Sequence, residues 1–198
     1  MSDLLLIGDA TDEMKGRFAE KFAIHILYDN EDPAAWIARH GSKISYVATN
    51  GHDGVKSAFV DSMPNLKAIS CYGVGYDSID TAQAVSRGIP VTHTPNVLNG
   101  EVATTALLLT LACYRNFIAD EAYVRSGDWE SKGNAPLSRS ADNQTVGILG
   151  LGRIGQTIAD KFAPFNSKIV YHARSKKSVD YTYSVSYTHL TLPTRKLV

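Results

Sequence analysis

The sequence predicts an α/β protein with two parallel β-sheets that follow one another along the chain. Short apolar runs alternate with amphipathic, alanine-rich stretches up to about residue 98, and the alternation restarts at residue 145 after a long apolar helix. Strands and helices that alternate at this spacing are typical of parallel sheets with helices on both faces.

Five apolar runs are the predicted strands of the first sheet. They cover residues 4–8, 24–28, 44–49, 66–71 and 90–93. Ligands of such sheets bind outside the carboxyl ends of the strands, so we expect function in the turns that follow them. Two of these turns carry glycines: TNGHDG (residues 49–54) follows the third strand, and YGVGYD (residues 72–77) follows the fourth.

A long helix over residues 99–118 is predicted to begin the second half of the chain. It is apolar around most of its circumference, so we expect it to be buried on several sides. The domain boundary is placed just before it, which gives a first domain of residues 1–98. Residues 127–143 lack periodicity and predict a surface loop, and strands are predicted at 145–149 and 168–172.

Charge and cysteine content exclude several function classes. Lys plus Arg and Asp plus Glu both number 20, so no net charge favours nucleic acid or an anionic membrane, and a small-molecule or protein partner is favoured. Cys71 and Cys113 lie in apolar runs without CxxC spacing, which indicates buried thiols in a reducing compartment. No run reaches the roughly 18 apolar residues of a membrane span, and the start lacks the basic region of a signal peptide. We expect a cytoplasmic protein without a metal site.

The motif TVGILGLGRIG (residues 145–155) predicts a phosphate-binding turn, because its GxGxxG pattern follows a strand and opens a helix. Gly150 allows the tight turn, Gly152 lets the backbone approach a pyrophosphate, and Gly155 permits close packing of helix on strand. The helix N-terminus then offers free N–H groups to the phosphates. The alternative is a glycine-rich turn that binds nothing. The predicted cofactor-binding residues here are Gly150, Leu151, Gly152, Arg153, Ile154 and Gly155.

The end of the second strand of this unit favours NADP over NAD. NAD-binding folds carry an acidic residue there, which accepts a hydrogen bond from the ribose 2′-hydroxyl. This chain has Ala173 instead, followed by a basic cluster that suits a 2′-phosphate. The alternative is that these are solvated charges at a strand end. The predicted cofactor-binding residues of this segment are Ala173, Arg174, Ser175 and Lys177, with Lys176 in the same cluster.

Several motifs in sequence order resemble the D-isomer-specific 2-hydroxyacid dehydrogenases, of the glyoxylate and hydroxypyruvate reductase type. They are GVGYDSID (73–80), RGIPVTHTPN (87–96), Val102-Ala103, SGDW (126–129) and GLGRIG (150–155). The resemblance implies a flavodoxin-like substrate domain followed by a Rossmann-like cofactor domain over residues 99–183, and a homodimer with the long helix at its interface. It implies that the intact protein reduces a small 2-keto acid, such as glyoxylate or hydroxypyruvate, to the D-2-hydroxy acid with NAD(P)H, and the basic cluster favours NADPH.

The resemblance also implies site residues. The backbone at Val74 and Gly75 would hold the substrate carboxylate, helped by the turn at Asn50 and Gly51, because N–H groups in a tight glycine loop suit an anion. Thr105 would approach the cofactor from the long helix. Gly100 and Thr104 stand where the family often has acidic residues, so this helix does not identify the substrate.

Four histidines are expected to be surface or strand-end residues rather than catalysts, and only His52 sits on a loop predicted to face the cleft. They are His25, His40, His52 and His93.

The family's catalytic arginine, and its histidine paired with a glutamate, come late in the cofactor domain, and we expect this chain to end before them. The resemblance is expected to stop near Tyr183, with residues 184–198 a non-family tail. The second unit would then hold only two strands and one connecting helix, an incomplete Rossmann domain. This chain alone is therefore expected to be inactive. A non-catalytic dinucleotide-sensing module, like the corepressors that share this fold, is the alternative to an enzyme.

Overall fold

The computed structural model describes residues 1–185, which form two compact units that divide between Val97 and Leu98. Each unit has its own parallel sheet. The division lies one residue before the boundary placed by sequence. The α/β class with a five-stranded parallel sheet followed by a second, partial parallel sheet is confirmed.

The first unit is a five-stranded parallel sheet in the order β2-β1-β3-β4-β5. Its strands are β1 (Ser2–Leu6), β2 (Phe22–Ile26), β3 (Ile44–Asn50), β4 (Ala68–Tyr72) and β5 (Val91–Thr92). The helices that connect them are α1 (Asp12–Ala19), α2 (Pro33–His40), α3 (Ser57–Asp61) and α4 (Thr81–Ser86). β1 and β2 begin two residues before the predicted strands, and β4 begins two residues after its prediction.

Both faces of this sheet are buried, as expected of parallel strands. Successive side chains of a strand point to opposite faces. Leu5 and Ile7 accordingly lie in one hydrophobic cluster, while Leu4 and Leu6 lie in another on the opposite face. The first cluster is the larger of the two and includes Val47 of β3.

Side-chain caps fix where the helices of the first unit begin. Asp32 accepts a hydrogen bond from the Ala35 N–H at 3.0 Å, at the start of α2. Asp80 accepts one from the Gln83 N–H at 2.9 Å at the start of α4, and its other oxygen accepts one from the Ser57 hydroxyl at 3.1 Å. Asp80 therefore ties α4 to α3.

The second unit contains a three-stranded parallel sheet in the order β6-β7-β8, which is the order of the first half of a Rossmann sheet. Its strands are β6 (Thr145–Leu149), β7 (Lys168–His172) and β8 (Thr182–Tyr183). Its helices are α5 (Asn99–Tyr114), α6 (Phe117–Arg125), α7 (Asp128–Lys132) and α8 (Arg153–Phe162). β6 and β7 have the predicted bounds.

Three expectations about the second unit are wrong. The sheet has a third strand, β8, and a core of its own that includes Ile148, Phe162 and Tyr171, so it is not limited to two strands. A two-residue strand has no apolar periodicity by which it could be recognised. The predicted loop 127–143 contains helix α7. From residue 186 onwards, the expected non-family tail lies outside the described residues.

The long helix is the third correction. It ends at Tyr114, and Asn116 in the left-handed conformation (φ 52°) separates it from α6. Only Ala103 of α5 is buried, while Leu108 and Leu109 are 63% and 60% exposed. Cys113 of the same helix, which was expected to be buried, is exposed, whereas Cys71 is buried as expected. Apolar residues on all sides did not mean burial on all sides, because α8 covers only part of the surface of α5. Within residues 1–185 no single helix meets the length and hydropathy of a membrane span; α5 and α6 meet them only as a pair, with a bend of 61°.

We predict that the cap at Asp80 gives the protein a pH-dependent stability. The hydrogen bonds from the Gln83 N–H and then the Ser57 hydroxyl lower the pKa of Asp80. A carboxylate with a lowered pKa stabilises the fold above its ordinary pKa of about 3.9, and this contribution is lost as the pH falls through the lowered value. Asp80→Ala should therefore lower the thermal midpoint at pH 7, with the difference from wild type shrinking in acid. The thermal midpoint of Asp80→Asn, which keeps a hydrogen-bond acceptor, should lie between those of wild type and Asp80→Ala. A difference that is constant across the acid range would contradict the prediction.

Candidate functional site

Hydrogen bonds from the rest of the first unit fix the carbonyl groups of the glycine loop that follows β4, at residues 73–75. The carbonyl oxygens of residues 73–75 each accept a hydrogen bond. The donors, in order, are the Thr94 N–H at 2.9 Å, His93 Nδ1 at 3.0 Å and the Cys71 thiol at 3.5 Å. Burial raises the pKa of Cys71, which keeps its thiol protonated and able to donate.

This arrangement turns the N–H groups of the loop outwards. In a trans peptide the N–H of one residue points away from the carbonyl of the residue before it. The N–H groups of residues 74–76 therefore point away from the three donors, and within residues 1–185 none of them donates to an acceptor. Consecutive free N–H groups in a tight loop form an anion-binding concavity. The free N–H groups of Val74 and Gly75 are compatible with the predicted anion site, and their binding of a carboxylate stays a prediction.

The loop after β3 packs backbone to backbone against this glycine loop. A Cβ on Gly51 would lie 2.5 Å from the carbonyl oxygen of Gly75, so only glycine fits at position 51. The Ser78 hydroxyl also donates to the Gly51 carbonyl at 2.8 Å. The two predicted substrate loops are therefore in contact.

Asn50 supports its own turn. Its Oδ1 accepts from the N–H groups of His52 and Asp53, both at 2.8 Å, and its Nδ2 donates to Asp53 Oδ2 at 2.6 Å. Both ends of the amide are thus engaged within the loop. Asn50 shapes the turn that carries Gly51, and its direct contact with a substrate remains a prediction.

The glycine turn of the second unit has the geometry of a phosphate-binding turn. Gly150 has φ 94°, a conformation that favours glycine. A Cβ on Gly155 would lie 2.3 Å from the Gly150 carbonyl oxygen, so helix α8 approaches the turn closely. Gly152 is the N-cap of α8 and supplies no side-chain cap, which leaves the first-turn N–H groups for a ligand. A Cβ on Gly152 would meet nothing within 4 Å, so this side of the turn is open.

The glycine turn and the basic loop after β7, which comprises residues 173–177, line one cleft of about 530 Å³. Leu149 pairs with His172 in the parallel ladder, so the segments that follow the two strands lie side by side. The described ion pairs include no residue of the basic loop, so its cations are available to an anion. The residues that line the cleft are Gly150, Leu151, Gly152, Ala173, Arg174, Ser175 and Lys177.

The other predicted cofactor residues do not line this cleft. Arg153 begins α8, and Ile154 is half-buried on the same helix. Gly155 is buried beneath the turn. Thr105 is exposed on α5, and its contact with a cofactor remains a prediction.

Two buried or half-buried tyrosines hold the basic loop at both of its ends. The hydroxyl of Tyr171, which is fully buried, accepts from the Lys177 N–H at 2.8 Å and contacts the Lys177 carbonyl at 3.3 Å. The hydroxyl of Tyr183 donates to the Ala173 carbonyl at 3.3 Å, and the two rings lie 5.3 Å apart. The loop therefore has fixed ends, while the exposed side chains of Arg174 and Ser175 face solvent.

Sequence reasoning missed the supporting side chains in both units. His93 follows β5 and so lies at a strand end, as expected, but the sequence did not reveal that it is half-buried and donates to the glycine loop. The pairing of Ser70 with Thr92 brings His93 next to the end of β4, so strand adjacency was the available signal. Tyr171 and Tyr183 could be recognised as core residues, but not as supports of the basic loop.

A glycine turn at a helix N-terminus, on a parallel sheet in Rossmann order, defines a dinucleotide-binding α/β protein. Residues 107–194 match the family model described as "D-isomer specific 2-hydroxyacid dehydrogenase, NAD binding domain". The chain belongs to the D-isomer specific 2-hydroxyacid dehydrogenase family. The matched range runs beyond Tyr183, where we expected the resemblance to end.

Curated relatives and solved structures agree with this assignment. A 2-ketogluconate reductase of Gluconobacter oxydans is 36% identical over 179 residues, which cover 89% of this chain and 56% of the relative. A glyoxylate reductase of Pyrococcus horikoshii is 34% identical over 80% of this chain and 49% of its own length. The chain thus spans about half the length of the curated relatives it matches.

Two solved structures superpose closely. The 2-hydroxyacid dehydrogenase of Ketogulonicigenium vulgare Y25 has a TM-score of 0.88 and 38% identity, over 96% of this chain and 60% of that one. The NADPH-dependent glyoxylate/hydroxypyruvate reductase of Sinorhizobium meliloti has a TM-score of 0.85 and 34% identity, with the same coverage. These relatives belong to a family of NAD(P)H-dependent 2-keto acid reductases.

We predict that Gly155 is required for the stability of the fold, whereas Gly152 is required for cofactor binding. Gly155→Ala places a Cβ against the Gly150 carbonyl and should cost about 1–3 kcal/mol of stability, as overpacking does. Gly152→Ala has open space and an ordinary φ of −89°, so its thermal midpoint should stay unchanged while NADP(H) binding weakens, because the Cβ enters the pyrophosphate approach. Thermal melts and cofactor titrations of both variants test this. Unchanged cofactor affinity in a folded Gly152→Ala protein would contradict it.

Proposed function

We propose that this chain forms the cofactor cleft and the substrate-carboxylate loop of an NADPH-dependent reductase. The reductase converts a small 2-keto acid, such as glyoxylate or hydroxypyruvate, to the D-2-hydroxy acid. The observation that carries the proposal is the cleft in which the glycine turn meets the basic loop of residues 173–177.

The cleft fits the phosphate groups of NADPH. The free N–H groups at the start of α8 donate hydrogen bonds to the pyrophosphate, and the open face at Gly152 gives it room. Arg174 and Lys177 then receive the 2′-phosphate, because no residue lining the cleft is acidic and none of its cations is in an ion pair among the described residues. The Sinorhizobium relative, which is described as NADPH-dependent and has been solved with NADP and malonate, supports this preference.

The glycine loop of the first unit fits the substrate carboxylate. The outward N–H groups of Val74, Gly75 and Tyr76 hold the anion through fixed dipoles, which need no reorganisation when the ligand binds. NADPH bound in the cleft would supply a hydride for the keto carbon and leave as NADP⁺, and a proton from water would complete the hydroxyl group. Relatives named glyoxylate reductase, and a glyoxylate/hydroxypyruvate reductase of Arabidopsis thaliana, support a small 2-keto acid as substrate.

The exposed apolar face of α5 supports a homodimer. Leu108 and Leu109 lie near the middle of this helix and are more than half exposed, as is Phe117 at the start of α6. Exposed apolar patches mark interaction sites on proteins. The proposed compartment is the cytoplasm, because Cys71 and Cys113 are both free thiols.

The dimer is tested by placing a charge on α5. Leu109→Lys should shift the protein towards monomer in sedimentation-velocity experiments at micromolar concentration, because a lysine in the interface is desolvated without a partner. Leu137→Lys is the matched control, since Leu137 is fully exposed in the loop that follows α7. The proposed interface is excluded if the Leu109→Lys and Leu137→Lys proteins have the same mass as wild type at every concentration.

Cofactor preference is tested by removing the guanidinium group of Arg174. Wild type should bind NADPH more tightly than NADH, and Arg174→Ala should weaken NADPH binding by about 1.5–3 kcal/mol, the range of a hydrogen bond to a charged group. NADH binding should not change. Fluorescence titration of both cofactors measures this.

Lys168→Ala is the control for this titration, because it removes the same charge at the opposite end of β7. It should leave both affinities unchanged. A full-length protein carrying this chain should show the same preference as a higher kcat/KM with NADPH than with NADH during reduction of glyoxylate. A preference for NADH would exclude the proposed role of Arg174.

A further inference from the structure

We propose that His93 is a positioning residue, which orients the Val74–Gly75 peptide and thereby sets the affinity of the glycine loop for a carboxylate. The inference rests on the proposed function, in which this loop binds the substrate carboxylate. It adds a side chain to a site that is otherwise formed by the backbone.

The hydrogen bond from His93 fixes one side of a peptide plane. Nδ1 lies 3.0 Å from the Val74 carbonyl oxygen, and because a carbonyl only accepts, Nδ1 carries the hydrogen. The Gly75 N–H belongs to the same rigid plane and points the opposite way. Holding the Val74 carbonyl therefore aims the Gly75 N–H outwards, where it has no acceptor within residues 1–185.

His93 is the one strong side-chain donor among the three groups that hold the loop. The Thr94 N–H is a main-chain group that nearly any residue supplies, and the Cys71 thiol is a weak donor at 3.5 Å. Without the imidazole, the Val74–Gly75 peptide can rotate at low cost because glycine has wide conformational freedom. The Gly75 N–H would then no longer be aimed at the ligand.

The imidazole is itself held in place. Its ring meets the Tyr76 ring edge-on, with the centroids 4.8 Å apart and an angle of 72° between the planes. His93 directly follows β5, which pairs with β4 through Ser70 and Thr92. The ladder therefore fixes the backbone of His93, and Tyr76 limits the rotation of its ring, which is the arrangement a positioning residue requires.

The experiment is a titration of the 198-residue chain with oxamate, a stable 2-keto acid analogue, followed by ¹H–¹⁵N NMR. In wild type, the amide signals of residues 74–76 should shift and saturate. His93→Leu should bind oxamate roughly three- to tenfold more weakly, the range expected from one hydrogen bond. His93→Asn should restore most of the affinity, because the asparagine amide nitrogen reaches the position of Nδ1.

Three comparisons separate positioning from general stability. His40→Leu is the matched control, because it removes another histidine whose Nδ1 lies 3.0 Å from a backbone carbonyl, that of Trp36, and it should leave oxamate binding unchanged. NADPH affinity should be the same in wild type and all His93 variants. His93→Gln, whose nitrogen reaches the position of Nε2 instead, should bind as weakly as His93→Leu. If His93→Leu does not fold, the asparagine and glutamine variants supply the comparison.

Each outcome has a distinct meaning. If wild type shows no shifts at residues 74–76, the proposed carboxylate loop is wrong and the inference fails with it. If wild type binds oxamate but the leucine and glutamine variants bind equally well, the role of His93 alone is overturned. Selective weakening with rescue by asparagine supports it.

Discussion

Parallel strand pairing is the constraint on which both candidate binding surfaces depend. It brings the carboxyl ends of neighbouring strands to one edge of a sheet, so the segments that follow them become neighbours whatever their separation in sequence. In the first unit, the pairing of Asn50 with Tyr72 sets the two glycine loops side by side. In the second, the pairing of Leu149 with His172 does the same for the glycine turn and the basic loop. Close backbone contact is then possible because Gly51 and Gly155 have no side chains.

In the proposed function, the two surfaces would hold anions by different physical means. The loop of the first unit uses N–H dipoles whose direction is fixed by hydrogen bonds on the opposite side of each peptide plane. The cleft of the second unit combines helix N–H groups with the basic side chains of Arg174 and Lys177. Fixed dipoles favour a small anion in one orientation, whereas charged side chains favour a phosphate of higher charge.

The sequence predicted those parts of the fold that depend on apolar pattern and glycine spacing. β6 and β7 have the predicted bounds, and the glycine motif occupies the turn between β6 and α8. Prediction failed where the answer depends on contacts between distant residues. The two residues of β8 are a strand only because β7 lies beside them. The apolar surface of α5 indicated burial, yet a pattern does not reveal which surface covers it.

The sequence predicted which backbone groups and charged side chains belong to the candidate site, but not the side chains that hold its loops in place. Val74, Gly75 and the residues of the cofactor cleft follow from motifs. The hydrogen bond from His93 depends on strand order, and the role of Asn50 depends on whether its amide turns inwards or outwards. A motif identifies which residues occur together, whereas hydrogen-bond direction is decided by the packed structure.

The way in which the basic loop is anchored also bears on how cofactor choice changes during evolution. Tyr171 and Tyr183 hold the loop through backbone groups of Lys177 and Ala173, and the exposed side chains between these points take no part in the anchoring. Substitutions at residues 174–176 would therefore change the charge at the edge of the cleft while the hydrogen bonds that hold the loop stay in place. A few substitutions in one short segment would then be enough to alter which cofactor the cleft favours.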